Sequence, residues 1–317
     1  MENTDINEII SNIKNRANSL WVEKYRPKTL NELVLEDGQY EIIKNIIEKK
    51  DVPHLILYGK PGTGKNSIVN VILNELKFPK LIINASEERG IDTIRDKILT
   101  FASTGGFRNA QKIIVLNEAD GLSYIAQGAL KEVLEVHSAK SRFILTCNEF
   151  HKISEPIRSR CIPLCLTPSP KGAAKRLLEI IKNENFEEVD QKALVELVKD
   201  QAKKGYIDIR SLIFELQRLY ITYKKLTLDV ITTKKSGDFK IIENSLLMAK
   251  NKDVKKLSQY LKDQNLGDEI FNILKEYLLE TNNNTGIIVL SDYVYKSKLV
   301  YDLDLIILAC FLDLAEL

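Results

Sequence analysis

Cysteine and histidine are scarce in this sequence of 317 residues. Four cysteines are too few and too scattered for a disulfide framework. Cys161 and Cys165 form a CxxxC pair, but no second pair of cysteines or histidines lies at metal-ligand spacing. The sequence therefore predicts reduced thiols, no structural zinc and a reducing environment: the nucleus, the cytoplasm or a viral replication site.

Long apolar runs are missing as well. The run from Leu305 to Leu312 is among the longest, and it is far shorter than the ~20 residues that a bilayer-spanning helix needs. Glu2, Asp5 and Glu8 lie where a secretory signal would have its apolar region, so we expect no such signal there. The net charge of +2 says nothing about nucleic-acid binding, because one basic face is enough to contact phosphates.

The pattern of apolar residues predicts an α/β domain. Five short, nearly continuous apolar runs are typical of parallel strands that are buried on both faces: Leu55–Tyr58, Leu81–Ile83, Ile113–Leu116, Phe143–Thr146 and Ile162–Leu166. Helical spacing lies between them, for example from Ser67 to Leu76 and from Gln127 to Val136. Alternation of this kind predicts a doubly wound parallel sheet with helices on both faces.

The rest of the chain is predicted to be helical. Two prolines within residues 167–170 indicate a linker, and no convincing strand follows it. Residues 171 to about 224 have the spacing of three helices, and a longer helical block follows, interrupted near residues 281–286. The predicted organisation is a tail over 1–20, an α/β domain over 21–166, a small helical domain over 167–226 and a larger one over 227–317.

A phosphate-binding loop follows the first predicted strand. It matches the pattern GxxxxGK in strand–loop–helix context, with the residues Gly59, Lys60, Pro61, Gly62, Thr63, Gly64 and Lys65. The glycines let backbone N–H groups surround the phosphates, the start of the helix adds positive potential, and Lys65 supplies a charge. The loop predicts binding of ATP or ADP.

Two departures affect the magnesium ion that normally accompanies the nucleotide. The position after Lys65 usually carries a serine or threonine hydroxyl that binds Mg²⁺, but here it is Asn66. Ser67 follows, and on a helix it is turned about 100° away, so we do not expect it to substitute.

The second departure is at the end of the third predicted strand. There Asn117 occupies the position of the usual metal-binding carboxylate, followed by Glu118, the residue type that orients an attacking water. An amide cannot offset the charge of a magnesium–triphosphate complex. The two departures predict retained phosphate binding, weak or absent Mg²⁺ at Asn66 and Asn117, and poor hydrolysis. The alternative is that Asn117 and Glu118 merely end a core strand.

Other polar residues are candidates for the same site. Asn148 follows the fourth strand, where it can reach the γ-phosphate and the attacking water, or simply form a turn. Arg210, in the small helical domain, can fold back onto the phosphates. Arg160 precedes the last strand and can project from the domain, where it would stabilise phosphoryl transfer in a neighbouring subunit. For Arg158 and Arg160 the alternative is a solvated surface pair.

Two further arginines follow the second strand. Arg89 and Arg95 contact a DNA backbone in one interpretation and lie on a solvated surface in the other.

Taken together and in this order, the motifs resemble those of AAA+ sliding-clamp loaders, most closely the replication factor C small subunits. The two departures make the chain most similar to the eukaryotic small subunit that has a degenerate ATP site. Residues 21–27 resemble the N-terminal signature that lines the adenine pocket, which assigns nucleotide contacts to Val22, Tyr25, Arg26 and Pro27. Residues 84–91 with Arg95 resemble the segment that follows the template strand.

The same resemblance assigns catalytic roles. Ser159-Arg160-Cys161 is similar to the arginine-finger motif, which acts in trans, while Asn148 and Arg210 match the first and second sensors. The resemblance implies a helical lid over 167–226 and a helical collar over 227–317 that joins a hetero-pentamer. Its further implied partners are the other subunits, a sliding clamp and primer–template DNA.

Three alternatives stay open. The chain could be a fully active clamp-loader ATPase that tolerates Asn66 and Asn117. It could be a different AAA+ machine, although an unfoldase needs an aromatic–hydrophobic–Gly loop after the second strand, where this chain has Glu87, Glu88 and Arg89. A small-molecule P-loop kinase would have no use for the long helical C-terminal part.

Overall fold

The computed structural model describes residues 20–86, 91–103, 111–137 and 141–317, with the backbone alone for residues 91–95, 103 and 233–236. The chain divides into two compact units, one ending at Leu226 and the other spanning Thr227–Leu317. The finer division into four segments stays a prediction. None of the described helices is both long and apolar enough to cross a bilayer.

A five-stranded parallel sheet is the centre of the first unit. Its strands are β1 (Leu55–Tyr58), β2 (Lys80–Asn84), β3 (Lys112–Asn117), β4 (Ser141–Cys147) and β5 (Ile162–Cys165). They are arranged in the order β2-β3-β4-β1-β5, and Leu57 of β1 is paired with Thr146 of β4 and Leu164 of β5. The predicted doubly wound parallel sheet is confirmed, and the carboxyl ends of β3, β4 and β1 lie side by side.

Helices cover both faces of this sheet. They are α2 (Asp37–Lys49), α3 (Lys65–Leu76), α4 (Ile91–Ser103), α5 (Tyr124–Val136) and α6 (Glu155–Arg158), with single 3₁₀ turns at Leu30–Glu32, Ala119–Gly121 and Phe150–Lys152. The first helix of the chain, α1 (Trp21–Lys24), packs on Phe186 and Tyr220 instead. Alternate residues of β3 point to opposite faces. Ile114 packs with Leu130 of α5, whereas Ile113 packs with Ile68 of α3.

The last part of the first unit is a helical bundle. It contains α7 (Pro170–Asn183), α8 (Gln191–Lys203) and α9 (Ile209–Tyr223). Two short strands, β6 (Glu188–Val189) and β7 (Lys225–Leu226), pair in parallel beside it. The expectation that no strand follows the linker was therefore wrong, because two-residue strands are too short to produce an alternating pattern.

The second unit is entirely helical over its described residues. It consists of α10 (Leu228–Lys250), α11 (Val254–Gln264), α12 (Glu269–Glu280), α13 (Asn284–Ser297) and α14 (Leu303–Ala315). The side chains of Asp253, Asn283 and Asp302 accept hydrogen bonds from backbone N–H groups at the starts of α11, α13 and α14. Leu274, Cys310 and Phe311 are fully buried and form the centre of its core.

His54 is a polar residue that is hydrogen-bonded to a strand of the sheet. Its Nδ1 accepts a hydrogen bond of 3.1 Å from the backbone N–H of Phe143. Burial, assisted by the charge of Arg142, lowers the pKa of His54 from its ordinary value of 6.5. Protonation would remove the acceptor and place a charge in a partly dry environment.

We expect the free energy of unfolding to fall as the pH drops from about 7.5 to about 5.5. The pKa of His54 is lower in the native state than in the unfolded state, so the unfolded chain binds more protons over this range and is favoured as the pH falls. The slope can be measured from urea midpoints across this range. His54→Gln keeps an acceptor and should flatten the slope, whereas His151→Gln, at an exposed position, should not. Identical slopes for wild type and His54→Gln would contradict this explanation.

Candidate functional site

The phosphate-binding loop leaves β1 and enters α3. Gly64 caps α3 without a side-chain hydrogen bond, so the N–H groups of the first turn keep their capacity to bind an anion. Lys65 Nζ donates to the carbonyl oxygens of Gly59 (2.7 Å) and Lys60 (2.9 Å). Burial lowers the pKa of Lys65. The ammonium group thus lies within the loop on backbone acceptors that phosphate oxygens can replace.

Gly62 joins this loop to the helical bundle. The backbone N–H of Ile209, at the start of α9, donates to the carbonyl of Gly62 at 3.1 Å. Asp208 caps α9 by accepting from the N–H of Ser211 at 3.0 Å, and its carboxylate packs against Gly62. A β carbon on Gly62, whose φ is +75°, would stand 1.7 Å from Oδ1 of Asp208. This close packing places Arg210 beside the loop.

Two strand ends form the opposite wall. Glu118 follows β3 with a left-handed backbone (φ +55°) and is exposed. The hydroxyl of Thr146 on β4 accepts from the backbone N–H of Glu118 (3.2 Å) and donates to Oδ1 of Asn117 (3.4 Å). Asn117 is half-buried behind Glu118, and its amide oxygen is used within the sheet edge rather than directed into the cavity.

Asp120 fixes the loop that carries Asn148. Its Oδ2 accepts from the backbone N–H groups of Asn148 and Glu149, both at 3.0 Å. Cys147 lies beside them, and burial, with a smaller contribution from Asp120, raises the pKa of its thiol to about 12. The thiol is therefore a neutral part of the wall, and the amide of Asn148 is left exposed at the end of β4.

The N-terminal segment closes a third side through an aromatic cluster. Trp21 is 5% exposed and packs against Tyr25, Phe186 and Tyr220, and its backbone N–H donates to Gln217 at 3.0 Å. These contacts join α1 to the helical bundle and orient the residues that follow.

A buried arginine holds the same segment from the other side. Nη2 of Arg176, on α7, donates to the carbonyl of Tyr25 at 2.8 Å. Nη1 donates to Glu179 at 2.9 Å. The hydroxyl of Tyr25 donates to Glu184 at 2.6 Å. Burial raises the pKa of Tyr25, and the hydrogen bond to Glu184 raises it further.

Most of the predicted site residues line one cavity. They are Val22, Tyr25, Arg26, Pro27, Pro61, Gly62, Thr63, Gly64, Lys65, Asn66, Ser67, Glu118, Asn148 and Arg210. Ser67 shares the wall with Asn66, although it was not expected to replace the missing hydroxyl. Gly59 and Lys60 instead line a separate cavity behind the loop, and Asn117 lies outside both.

Arg160 lies away from this cavity, at the start of β5. Its guanidinium donates from Nη1 to the carbonyl of Pro156 (2.6 Å) and from Nη2 to Glu135 of α5. Arg158 instead packs over the ring of Phe150, 5.3 Å from the centroid. Arg89 lies outside the described residues, and only the backbone of Arg95 is described, so the predicted DNA contact stays a prediction.

Three residues that shape the cavity, Asp208, Asp120 and Arg176, were not predicted from the sequence. Asp208 had a local signal, since an aspartate directly before an apolar helix is a typical N-cap. Asp120 and Arg176 had none, because their partners lie 28 and 151 residues away in the chain. Spacing alone does not reveal contacts of this kind.

The donor set at the expected metal position does not fit Mg²⁺ well. Mg²⁺ prefers carboxylate and other oxygen ligands in octahedral geometry, yet Asn66 carries no hydroxyl, and the amide oxygen of Asn117 accepts a hydrogen bond from Thr146. Over the described ranges, no cluster of three or more His, Cys, Asp or Glu side chains could hold a metal ion. The start of α3, Lys65 and Arg210, in contrast, lie together on one cavity.

Comparison with known proteins identifies relatives of this chain. Residues 55–166 match the ATPase family associated with various cellular activities (AAA). The chain is 45% identical over 172 residues to the replication factor C small subunit of Archaeoglobus fulgidus, covering 52% of this chain and 54% of that protein. It is 37% identical over 223 residues to replication factor C subunit 5 of Homo sapiens, covering 67% and 64%.

The chain spans about half of the length of the first curated relatives and somewhat more of others. Among solved structures, the Thermotoga maritima RuvB Holliday junction branch migration motor is similar, with a TM-score of 0.54, 15% identity, and coverage of 81% of this chain and 91% of that one. At this identity the likeness shows the fold alone.

We expect Gly62→Ala to lower the free energy of unfolding by about 2–4 kcal/mol, because it combines a strained positive φ with loss of the Asp208 cap. It should also weaken nucleotide binding, since Arg210 must move with α9. Urea unfolding and titration with a fluorescent ATP analogue measure the two effects.

Gly128→Ala is the matched control, because Gly128 lies in α5 with open space around the position of a β carbon. It should leave both quantities unchanged or raise stability slightly. If Gly62→Ala were as stable as wild type, the close packing of Asp208 on the loop would be refuted.

Proposed function

The chain contains an AAA domain and is related to the replication factor C small subunits, and on this premise we propose that it is a clamp-loader subunit with a weakened ATP site. It binds ATP or ADP, hydrolyses it slowly or not at all, and donates Arg160 to a neighbour's site. The observation that carries this proposal is the composition of the cavity. The cavity contains the expected phosphate-binding groups, and the two metal positions carry the amides of Asn66 and Asn117. Arg160, the proposed arginine finger, lies outside the cavity.

Nucleotide binding follows from groups that need no metal. The start of α3 offers backbone N–H groups, and Lys65 and Arg210 bring two cations to one cavity. The N-terminal segment, with Tyr25 and Pro27, lines the same cavity and would enclose the base. These residues bind and orient the nucleotide, which itself supplies the phosphoryl group in the reactions of this family.

Weak hydrolysis follows from the donor chemistry. Glu118 is present and exposed in the cavity, so a water can still be oriented there. Asn117 cannot neutralise charge as the usual carboxylate does, and Asn66 lacks the usual hydroxyl ligand, whereas charge neutralisation by a well-held metal ion is what makes phosphoryl transfer fast. The exposed Glu118 is the one observation that favours the alternative of an active ATPase subunit. Turnover by an assembly in which this P-loop alone is intact would separate the two.

The partners we propose are the other subunits of a hetero-pentamer, a sliding clamp and primer–template DNA. The location of Arg160 supports a role in trans, since its guanidinium is outside its own cavity and partly exposed. Arg89 and Arg95 are the proposed contacts to the DNA backbone, and the helices of residues 227–317 are the proposed site of assembly.

We expect the isolated chain to bind ATP and ADP measurably yet to hydrolyse ATP at the background rate. Asn117→Asp alone should not restore hydrolysis, because Asn66 still lacks the hydroxyl ligand. Phosphate release and binding isotherms for the pure protein measure the two properties.

Lys65→Ala controls for this experiment, since it should abolish binding. Robust magnesium-dependent turnover by the pure chain that Lys65→Ala eliminates would overturn the idea of a weakened site.

We expect Arg160→Ala to leave nucleotide binding by this chain intact while lowering ATP turnover and clamp loading by the assembly. A finger supplied in trans contributes on the order of 10³- to 10⁵-fold to the rate at the site it serves. Single-turnover hydrolysis at the neighbour's site is the decisive measurement.

Arg218→Ala is the matched control, because Arg218 is also an exposed arginine in an ion pair, with Glu215 at 2.8 Å. It should leave turnover unchanged. If the complex forms and Arg160→Ala turns over like wild type, the finger role is wrong.

A further inference from the structure

We propose that Glu135 restrains Arg160 on its own domain and thereby sets how readily the guanidinium reaches a neighbour's nucleotide. The inference rests on the proposed role of Arg160 in trans and adds a positioning residue to it. Glu135 lies in the last turn of α5, 25 residues before Arg160 in the chain, and its Oε1 accepts from Nη2 of Arg160.

The backbone on which Arg160 stands is fixed, so the side chain alone has to move. The N–H of Arg160 donates to the carbonyl of Ile157 at 3.1 Å, and Ile157 is fully buried. The guanidinium turns back onto this short helix, where Nη1 also donates to the carbonyl of Pro156 (2.6 Å) and the hydroxyl of Ser159 (3.3 Å). To reach another subunit, the guanidinium has to exchange its three acceptors, which are Glu135, the carbonyl of Pro156 and the hydroxyl of Ser159, for phosphate oxygens.

Glu135 is the charged member among those acceptors. Lys131, one turn earlier on α5, has its Nζ 4.0 Å from the same Oε1. Removing the negative charge of Glu135 leaves Lys131 and Arg160 as neighbouring cations that repel each other. Both effects release the guanidinium from its intrachain position.

The restraint is weak enough to be reversed. The side chains of Arg160 and Glu135 are 34% and 45% exposed, and an exposed ion pair shifts an equilibrium by no more than about fivefold. A phosphate group offers several oxygens and more charge to a planar guanidinium than one carboxylate does. A neighbour's nucleotide can therefore displace Glu135, whereas water cannot do so as effectively.

The pair is not needed to hold α5 against α6. Val133 and Leu134 of α5 are buried in the same apolar cluster as Ile157 of α6. Replacement of Glu135 by glutamine, which keeps the shape and loses the charge, should therefore leave the fold intact.

The first experiment uses the isolated full chain. Phenylglyoxal, which modifies arginine, is applied to wild type and Glu135→Gln, and peptide mass spectrometry follows the rate at Arg160 relative to Arg218. We expect the relative rate to rise about two- to fivefold. Glu132→Gln, an exposed glutamate on the same helix, should leave it unchanged. An equal rate in wild type and Glu135→Gln overturns the restraint.

The second experiment uses the chain in assembly with its partner subunits. Glu135→Gln should lower the ATP concentration for half-maximal turnover by a similar factor, and Arg160→Ala should abolish this difference. If Arg160→Ala lowers turnover but Glu135→Gln behaves as wild type, the restraint alone is overturned. If Arg160→Ala leaves turnover unchanged, the proposed function fails, and the restraint has no functional consequence.

Discussion

The arrangement of the site depends on the hydrogen bond from the N–H of Ile209 to the carbonyl of Gly62, which connects the phosphate-binding loop to α9. Asp208 packs where a β carbon of Gly62 would stand, so the shape of the phosphate-binding loop and the position of α9 are set together. Arg210 follows Ile209 on α9, and it reaches the cavity of Lys65 because α9 is held against the loop at Gly62. A movement of the loop backbone must therefore move α9 or break this bond.

Phosphate binding and metal binding are separable in this cavity because they use different atoms. The proposed phosphate contacts are backbone N–H groups, Lys65 and Arg210, and a change of side chain at Asn66 or Asn117 leaves these groups untouched. Metal binding depends on side-chain oxygens, and Asn117 directs its oxygen to Thr146 instead. The proposed function uses this separation: the nucleotide is bound while hydrolysis is weak.

The sequence predicted elements better than side-chain directions. The strand at Leu55–Tyr58 was predicted with its observed bounds, and the motifs placed Lys65, Glu118 and Asn148 correctly at the ends of strands and helices. Motif position identifies the element and its end, whereas side-chain direction depends on contacts between distant residues. Asn117 is turned away from the cavity by Thr146, and Arg160 is held by Glu135, and neither pairing leaves a trace in local spacing.

Lys65 and Arg160 share one physical property that is consistent with the proposed role of a weakened site in an assembly. Each cation rests on acceptors of its own chain: Lys65 on the carbonyls of its loop, and Arg160 on a carbonyl and a carboxylate. Binding to phosphate is then an exchange of one set of charge-assisted hydrogen bonds for another. Because the resting bonds keep both side chains ordered, little rotamer entropy has to be lost when phosphate arrives. The preference for phosphate comes from its greater charge, and this preference does not require the chain to hydrolyse its own nucleotide.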